Sequence, residues 1–272
     1  MGYIFDFKDA EAYEQWAGKD GNQQTIDLEN RLMVEMLHPA YGDRLLDIGC
    51  GTGSSLLPFL GRGIQLTGVD PSPYVLDIAE KKIGHRVDLH RAHAEDLPFD
   101  DNAFEYASLC LSLEFTDDPK KALAEACRVA KDGIFVGILN KYSLKAFQRR
   151  MKGVFVPTIY NHARFFSIGE IKRLFYSILG DVPVFWQTTC HLPGLKNQWI
   201  DHLEASKFGK KSPFGAFAGI MALPVPRFRT QPLELKVPAA KPVQANSRPV
   251  SCAEKKMEGG KVEGEAHGSI IV

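Results

Sequence analysis

The sequence predicts an α/β fold, in which a doubly wound and mostly parallel sheet of seven strands ends with an antiparallel strand. Three observations favour this fold. Short apolar runs alternate with helical segments of about ten residues, which is typical of βαβ crossovers. A glycine cluster follows the first apolar run, and an acidic residue follows the second. In such a sheet, ligands bind beyond the carboxyl ends of the strands.

The composition is that of an ordinary globular chain. It has 272 residues, of which 44% are hydrophobic and 24% charged, enough for a sizeable core without disulfide or metal staples. Lys and Arg total 33, as do Asp and Glu, so the formal net charge is zero. That balance argues against the global positive field with which a chain gathers nucleic acid.

The cysteines and the apolar runs indicate in which cellular compartment we expect the chain. The five cysteines are widely spaced and form no CxxC pair, so we expect neither a disulfide framework nor a metal site, and a reducing cytoplasm fits them. The N-terminus is acidic and does not resemble a secretory signal. No apolar stretch is long enough to predict a membrane-spanning helix.

The first forty residues predict helices that precede the sheet. Residues 9–37 have helical spacing of apolar residues, interrupted by the Gly-rich sequence GKDGN. Polar residues, among them Glu29, stand between the apolar positions. We expect residues 1–40 to form an N-terminal helical lid. Within it, Tyr13 and Trp16 either cover a ligand or simply pack the helices.

Five strands and three helical segments are predicted between residues 41 and 140. The strands are 44–48, 64–69, 87–90, 106–113 and 133–139. The helices are 74–82 and 119–130, and 54–60 begins a helix whose continuation Pro58 limits. This order makes the carboxyl ends of the strands the expected ligand-binding edge.

The alternation loosens after residue 140. We predict a helix over 143–151 and a second helix over 167–179, in which Ser167 and Glu170 form a capping box and Gly180 ends the helix. Two late strands, 182–189 and 214–225, follow. The apolar stretch within the second is too short to span a membrane, and we expect it to be buried in an antiparallel hairpin at the edge of the sheet.

The chain divides into three predicted parts. The helical lid, 1–40, precedes a main domain over 41–232, which contains an insert at about 141–166. Residues 233–272 contain no Phe, Trp or Tyr and mix Pro, Gly, Lys and Glu without periodicity. This composition predicts a disordered tail.

The most informative motif is the sequence Asp47-Ile48-Gly49-Cys50-Gly51-Thr52-Gly53 at the end of the first strand. Glycines permit a sharp turn and a close approach of ligand to backbone, and the free N–H groups that follow form a polar cradle. Asp70 ends the second strand, where its carboxylate can accept both hydroxyls of a ribose, at about 1.5–3 kcal/mol each. A glycine-rich turn alone is also compatible with a purely structural role.

Two nucleotide-type ligands compete for this motif. The dinucleotide fingerprint is GxGxxG, but here the third glycine comes one place early and Ser54 occupies the expected position. A GxGxG turn after an acidic residue resembles motif I of the class I S-adenosylmethionine-dependent methyltransferases. The acid, Asp47, suits a ligand with a cationic amino group better than it suits a pyrophosphate.

Further segments resemble the same family, in the branch of the ubiquinone and menaquinone biosynthesis methyltransferases, methyltransferase type 11. They are Gly68-Val69-Asp70-Pro71-Ser72, Ala94-Glu95-Asp96-Leu97-Pro98-Phe99 with Asn102-Ala103-Phe104-Glu105, Leu111-Ser112-Leu113-Glu114-Phe115, and Ala124-Glu125-Ala126-Cys127-Arg128-Val129. The resemblance covers about residues 9–140. It implies a Rossmann-like methyltransferase fold and S-adenosylmethionine as cofactor, and says little about the acceptor.

The resemblance also implies which residues contact the cofactor. Contacts with its methionine part are implied for Asp47, Gly49, Cys50, Gly51, Gly53, Leu109 and Cys110. Contacts with its ribose and adenine are implied for Asp70, Pro71, Ser72, His93 and Ala94. His93 stands where the family usually has an acid. A neutral imidazole nitrogen could accept from the adenine amino group, or the side chain could point to solvent.

The expected reaction is an in-line displacement at the methyl carbon, in which proximity and exclusion of water supply much of the rate. A general base is not obligatory. The candidates for one are Glu114, Tyr142, Tyr160 and His162. Glu114 is equally compatible with a capping or loop carboxylate, and His162 with a surface loop.

One segment points to the acceptor, which we expect to be a small molecule. Between Gly133 and Gly169 there is no Asp or Glu, whereas Lys141, Lys145 and Arg149 recur at four-residue spacing and so share a helix face. One interpretation is that this basic helix face is simply exposed to solvent. The other interpretation is that it binds an acceptor that carries a carboxylate or phosphate, or a lipid-like acceptor in an anionic membrane.

Two other functions remain open. The first is a nicotinamide-dependent oxidoreductase, which the early third glycine disfavours. The second is a non-catalytic protein that keeps the cofactor-binding fold. A nucleic-acid substrate is less well supported, because the chain has no basic domain and no appended RNA-binding module.

Overall fold

The computed structural model describes residues 2–143, 162–189 and 207–224. All of them lie within one compact unit, Met1–Phe228. The predicted helix over 143–151 lies outside the described residues beyond its first position. The predicted tail, 233–272, lies outside them entirely.

Seven strands form one sheet in the order β3-β2-β1-β4-β5-β7-β6. β1 pairs in parallel with β2 and β4, β2 with β3, and β4 with β5, whereas β7 is antiparallel to both β5 and β6. The strands are β1 Arg44–Ile48, β2 Gln65–Asp70, β3 Asp88–Arg91, β4 Phe104–Cys110, β5 Ala130–Leu139, β6 Val184–Thr189 and β7 Phe217–Ala222. The predicted fold class is therefore confirmed. The late strands form the expected antiparallel pair, with β6 outermost and β7 buried inside.

Helices cover both faces of this sheet. They are α1 Phe7–Ala17, α2 Asp20–Leu37, α3 Pro73–Ile83, α4 Pro119–Val129, α5 Ile168–Leu179 and the single turn α6 Lys207–Lys210. Within the described ranges, none of them combines the length and the apolar character that crossing a bilayer requires.

Two hydrophobic cores follow from the alternation of side chains along the strands. On one face, Leu46 and Ile48 of β1 pack with Leu123 of α4 and Phe175 of α5. On the other face, Leu45 packs in a cluster to which α2 and α3 contribute Leu32, Met33, Ala79 and Ile83. Since successive residues of β1 enter opposite cores, the strand is buried on both sides, as its apolar sequence predicts.

The helix ends follow the local sequence. α1 begins at Asp6, which forms a capping box with Asp9. It ends at Gly18, so the segment predicted as one helical stretch over 9–37 is two helices, broken within the Gly-rich sequence. The predicted capping box of α5 is confirmed, with Ser167 and Glu170 bonded in both directions and Gly180 at φ +79°.

Two predicted elements are wrong in detail. Residues 54–60 form turns and a short 3-10 helix, Leu57–Phe59, because Pro58 cannot donate the backbone hydrogen bond that a longer helix needs. β4 ends at Cys110 and not at Leu113, because Leu111 adopts a left-handed conformation and a 3-10 helix, Leu113–Phe115, follows. This bend turns the chain across the end of β1.

Candidate functional site

A cavity of about 550 Å³ lies at the carboxyl ends of β1, β2 and β4. Its volume is in the range of sites for small molecules and cofactors. Predicted cofactor residues that line it are Gly49, Cys50, Gly51, Asp70, Pro71, His93, Ala94 and Cys110. Predicted cofactor residues that do not line it are Asp47, Gly53, Ser72 and Leu109. The cavity thus gathers the turn after β1, the acid after β2, the loop after β3 and the end of β4.

The three glycines of the first turn have different reasons to be glycine. All are left-handed, with φ of +73° at Gly49, +52° at Gly51 and +78° at Gly53. A Cβ at Gly49 would lie 2.3 Å from Cβ of Ser112, and one at Gly53 would lie 2.8 Å from Cδ1 of Ile83. A Cβ at Gly51 would meet nothing within 4 Å. Gly49 and Gly53 therefore serve protein packing, whereas Gly51 presents open backbone to the cavity.

Asp70 is a half-buried carboxylate in the cavity wall. Its Oδ2 accepts from the backbone N–H of Gly51 at 3.0 Å, and its Oδ1 accepts from that of Ser72 at 2.9 Å. Burial nevertheless raises the pKa of Asp70 to about 6. Each carboxylate oxygen can accept two hydrogen bonds, so both can take a further donor from a ligand in the cavity.

Asp47 lies behind the glycine turn. It is 1% exposed, and its carboxylate accepts from Ser108 Oγ at 2.7 Å and from Ser55 Oγ. Burial raises the pKa of this carboxyl group. Ser55 lines the cavity, but Asp47 does not. Any influence of Asp47 on a ligand therefore passes through Ser55 or through its charge.

The end of β4 supplies another part of the cavity wall. Leu111 lines the cavity at φ +57°, a conformation that costs a residue with a Cβ roughly 1–2 kcal/mol and that clusters at functional sites. Its N–H donates to Gly137 O at 2.9 Å. The hydroxyl of the next residue, Ser112, donates to Ile48 O at 2.6 Å, which ties the end of β4 to the end of β1.

Two thiols face this cavity. Cys50 and Cys110 both line it, and the pKa of each is raised well above its usual value. The first cause is burial in both cases, and neighbouring carboxylates add to it. The thiols are therefore protonated at neutral pH.

The residues Gly2–Asp6, here the N-terminal strap, cross the cavity from β4 to β2. The N–H of Tyr3 donates to Phe115 O at 2.9 Å, and Phe5 O accepts from Ser72 Oγ at 2.6 Å. Four strap residues line the cavity, namely Gly2, Tyr3, Ile4 and Phe5. None of them is among the predicted site residues, because no motif precedes α1.

Tyr3 is held on three sides. Its hydroxyl donates to Asp9 Oδ2 at 2.6 Å, and this bond to a carboxylate raises the pKa of Tyr3 to about 12. Its ring stacks on His162 with centroids 4.2 Å apart and contacts Phe115. His162, a candidate base, therefore lies behind Tyr3 and does not line the cavity.

α1 continues the cover that the strap begins. Tyr13 and Trp16 line the cavity, which agrees with the covering role considered for them. Glu14 on the same helix accepts from Lys82 Nζ of α3 at 2.7 Å. The same ammonium lies 3.4 Å from Thr52 Oγ1, so it joins the cover to the glycine turn.

Two further candidate bases, Glu114 and Tyr142, are in the described part of the chain. Glu114 is buried, and its Oε1 accepts from the N–H of Leu139 at 2.7 Å, which is a structural contact of the loop after β4. Tyr142 is 65% exposed. Neither lines the cavity. Tyr160 lies outside the described residues.

The loop after β3 contributes His93 and Ala94 to the cavity. Both line the cavity, Ala94 buried and His93 exposed, so both readings of the histidine stay open. The neighbouring Glu95 accepts from the N–H of Asp117 at 2.9 Å and fixes the loop before α4.

α2 contributes wall residues that were not predicted, Ile26, Glu29 and Asn30. Glu29 was placed among the polar residues between apolar positions, but it is buried. Its spacing carried a signal, since Thr25, Glu29, Leu32 and Met33 share one buried helix face. In the part of the chain that the structure describes, no group of three or more potential ligand side chains could hold a metal ion.

Comparisons with known proteins agree with this geometry. The sequence profile of a family described as a methyltransferase domain matches residues 46–137. An uncharacterised protein of Methanocaldococcus jannaschii is 36% identical over 176 residues, which are 63% of this chain and 78% of that protein. A demethylmenaquinone methyltransferase of Renibacterium salmoninarum is 35% identical over 103 residues, 38% of this chain and 43% of that enzyme. The chain thus spans less than half of this second relative.

A solved structure extends the likeness to the whole fold. It is a S-adenosylmethionine-dependent methyltransferase of Thermotoga maritima, described as a possible histamine N-methyltransferase. It superposes with a TM-score of 0.65 at 28% identity and covers 80% of this chain and 98% of its own. Because the family profile, the similar sequences and the superposed structure agree, the chain belongs to the class I S-adenosylmethionine-dependent methyltransferases.

Proposed function

We propose that this protein transfers the methyl group of S-adenosylmethionine to a small-molecule acceptor, with the cofactor bound in the cavity at the ends of β1, β2 and β4. The observation that carries the proposal is the pairing of Asp70 with Gly51. A half-buried carboxylate, whose oxygens can each accept a further hydrogen bond, adjoins a left-handed glycine whose missing side chain leaves open space. These two features fit a ribose followed by a chain that lies along the backbone.

In this proposal, different residues around the cavity contact different parts of the cofactor. Asp70 accepts the ribose hydroxyls, and Gly49, Cys50 and Gly51 border the methionine part. Pro71, His93 and Ala94 border the adenine. The predicted contacts of Asp47, Gly53, Ser72 and Leu109 are indirect in this proposal, because these residues support the wall from behind.

The chain's contribution to the reaction is alignment. The bound cofactor supplies an electrophilic methyl group on a sulfonium. The cover formed by the N-terminal strap and α1 excludes water, and the bent end of β4 fixes the direction from which an acceptor approaches. Among the described residues that were candidate bases, none lines the cavity, which favours a reaction that relies on positioning.

Isothermal titration calorimetry with S-adenosylhomocysteine tests the proposal. We expect Asp70→Ala to weaken binding by about two orders of magnitude, because two charge-assisted hydrogen bonds are lost. The matched control is Asp88→Ala, which removes an exposed carboxylate from the neighbouring strand β3 and leaves binding unchanged. Equal binding by the wild type and by Asp70→Ala would refute the assignment of the site.

For the acceptor, we propose a molecule with a carboxylate or phosphate, free or in a lipid. The support is the basic sequence between residues 133 and 169, of which Lys141 and Arg164 are in the described part and Lys141 pairs with Glu170 at 3.4 Å. Neutralising Lys145 and Arg149 together is expected to raise the acceptor KM and leave cofactor affinity unchanged. Steady-state kinetics with an acceptor found by screening measures both, and an unchanged acceptor KM would contradict this class.

A further inference from the structure

Three buried acidic residues influence the thiol at the end of β4. Asp47, Glu29 and Glu114 each act on Cys110, and their charges add to the effect of burial that raises the pKa of its thiol. They come from three different elements, β1, α2 and the loop after β4. Of the residues in this group, Cys110 and Glu29 line the cavity.

The three carboxylates differ in what they face. Asp47 is fastened by the hydroxyls of Ser55 and Ser108, and Glu114 accepts from the backbone N–H of Leu139. Neither of these two acids lines the cavity. Glu29 does line it, although it is only 7% exposed. Glu29 is thus the one of the three acidic residues that lines the cavity.

Aromatic rings stand in the same wall. Tyr13 and Trp16 of α1 line the cavity as a tilted pair with centroids 5.7 Å apart. α1 packs against α2, where Asn22 Nδ2 donates to Trp16 O at 2.9 Å. A carboxylate together with aromatic faces is a combination that favours a desolvated cation that is not a hydrogen-bond donor.

We infer that Glu29 is the counter-charge for the sulfonium of the cofactor, so that this site distinguishes the positively charged methyl donor from the neutral product. The inference rests on the proposed function. Donor and product share adenosine, amino group and carboxylate, and differ by one methyl group and one positive charge. A carboxylate near the sulfur therefore acts on the donor and leaves the thioether product almost unaffected.

This role has a catalytic consequence. Discharge of the sulfonium during methyl transfer removes the charge that Glu29 attracts, so the product is released more readily than the donor. Glu29 is then a specificity-determining residue of the binding step, and it needs no proton transfer. If Glu29 bound the acceptor instead, its substitution would change the affinities for donor and product by the same factor.

Calorimetry of Glu29→Gln with three ligands tests the inference. For S-adenosylmethionine we expect a loss of affinity of about tenfold or more, and for S-adenosylhomocysteine a change within about twofold. Affinity for 5′-methylthioadenosine, which has neither sulfonium nor amino acid, reports whether the site is still folded and should be unchanged. Glu29→Asp retains the charge and is expected to retain preference for the donor.

A control variant and two kinds of contrary result complete this test. Glu35→Gln removes an exposed carboxylate of the same helix, paired with Lys210, and should leave all three affinities unchanged. Equal losses for donor and product in Glu29→Gln, or no loss for either, would overturn the inference while leaving the proposed function intact. If the wild type binds none of the three ligands, it is the proposed function that fails.

Discussion

Burial in the folded chain disfavours ionisation of Asp70, whereas the proposed ligand favours the ionised form because it donates hydrogen bonds to the carboxylate. Burial raises its pKa from 3.8 to about 6, so between these values the folded state binds more protons than the unfolded state. Its contribution to the free energy of unfolding is therefore largest below pH 4, and falls as the pH rises through 6. At neutral pH the ionised group destabilises the ligand-free protein by an amount on the order of 3 kcal/mol.

This pKa predicts how cofactor affinity depends on pH. The ionised carboxylate accepts ribose hydroxyls, whereas the protonated form offers fewer acceptors. We expect the affinity for S-adenosylhomocysteine to be constant above about pH 7 and to fall below about pH 6, by up to tenfold per pH unit. Calorimetry between pH 5 and 8 measures the profile.

Asp70→Asn provides the control for this profile. The amide does not titrate, so the variant should bind weakly and with little change between pH 5 and 8. A wild-type profile that stays level to pH 5, or a variant profile that falls in parallel with it, would assign the pH dependence to another group.

The N-terminal strap is the element whose contacts matter most for ligand exchange. It is joined to the body by two hydrogen bonds that involve backbone atoms, by the stack of Tyr3 on His162 and by the edge-to-face contact of Phe5 with Phe115. These contacts lie over the cavity and outside both hydrophobic cores. Opening the strap therefore need not disturb the sheet.

Truncation of Tyr3 should speed the escape of ligand without unfolding the protein. For Tyr3→Ala we expect S-adenosylhomocysteine to dissociate roughly three- to tenfold faster, because the aromatic contacts are lost. Tyr3→Phe keeps the ring and loses only the bond to Asp9, so its rate should stay near that of the wild type. Stopped-flow displacement measures the rates, and thermal unfolding without ligand checks the fold. An unaltered rate in Tyr3→Ala would mean that the strap does not gate the cavity.

At the scale of the whole molecule, the cavity joins parts that belong to different faces of the sheet. α2 and α3 pack on one face and α4 and α5 on the other, and the loops from both faces meet above the strand ends. A ligand in the cavity contacts elements from both sides. Its binding free energy is therefore added to the stability of the entire compact unit.

This linkage predicts a thermal shift that is specific for the ligand. At a hundred times its dissociation constant, S-adenosylhomocysteine should stabilise the protein by about 2.7 kcal/mol and raise Tm by several degrees. NAD at the same concentration should leave Tm unchanged, because Ser54 stands at the third glycine of the dinucleotide fingerprint. A rise with NAD alone would favour the oxidoreductase.

Much of the fold was predictable because its signals are local. The β1 sequence Arg44–Ile48 has an apolar run that is followed directly by Gly49, and the capping box of Ser167 and Glu170 lies within one turn, so each is recognisable without its neighbours. The end of β4 was not predictable in this way. Leu111 has no sequence feature that demands a positive φ, and its conformation depends on contacts with β1 and β5.

Some residues of the candidate site also have local sequence signals, whereas others depend on distant contacts. Gly49, Gly51 and Asp70 belong to contiguous motifs, and the structure brings them to one cavity. The strap and Glu29 reach that cavity from distant parts of the chain. Tyr3 does so through a contact with Phe115 more than a hundred residues away, which no local pattern encodes. Asp47 fits its motif, but two serine hydroxyls turn it away from the cavity.

The two thiols in the cavity wall have a chemical consequence. A sulfonium methyl donor is an alkylating agent, and a thiolate beside it would be the strongest nucleophile in reach. Burial and the nearby carboxylates keep the pKa of Cys50 and Cys110 well above the usual value, so both remain in the unreactive thiol form. If the donor binds as proposed, the same surroundings would protect the protein from self-alkylation.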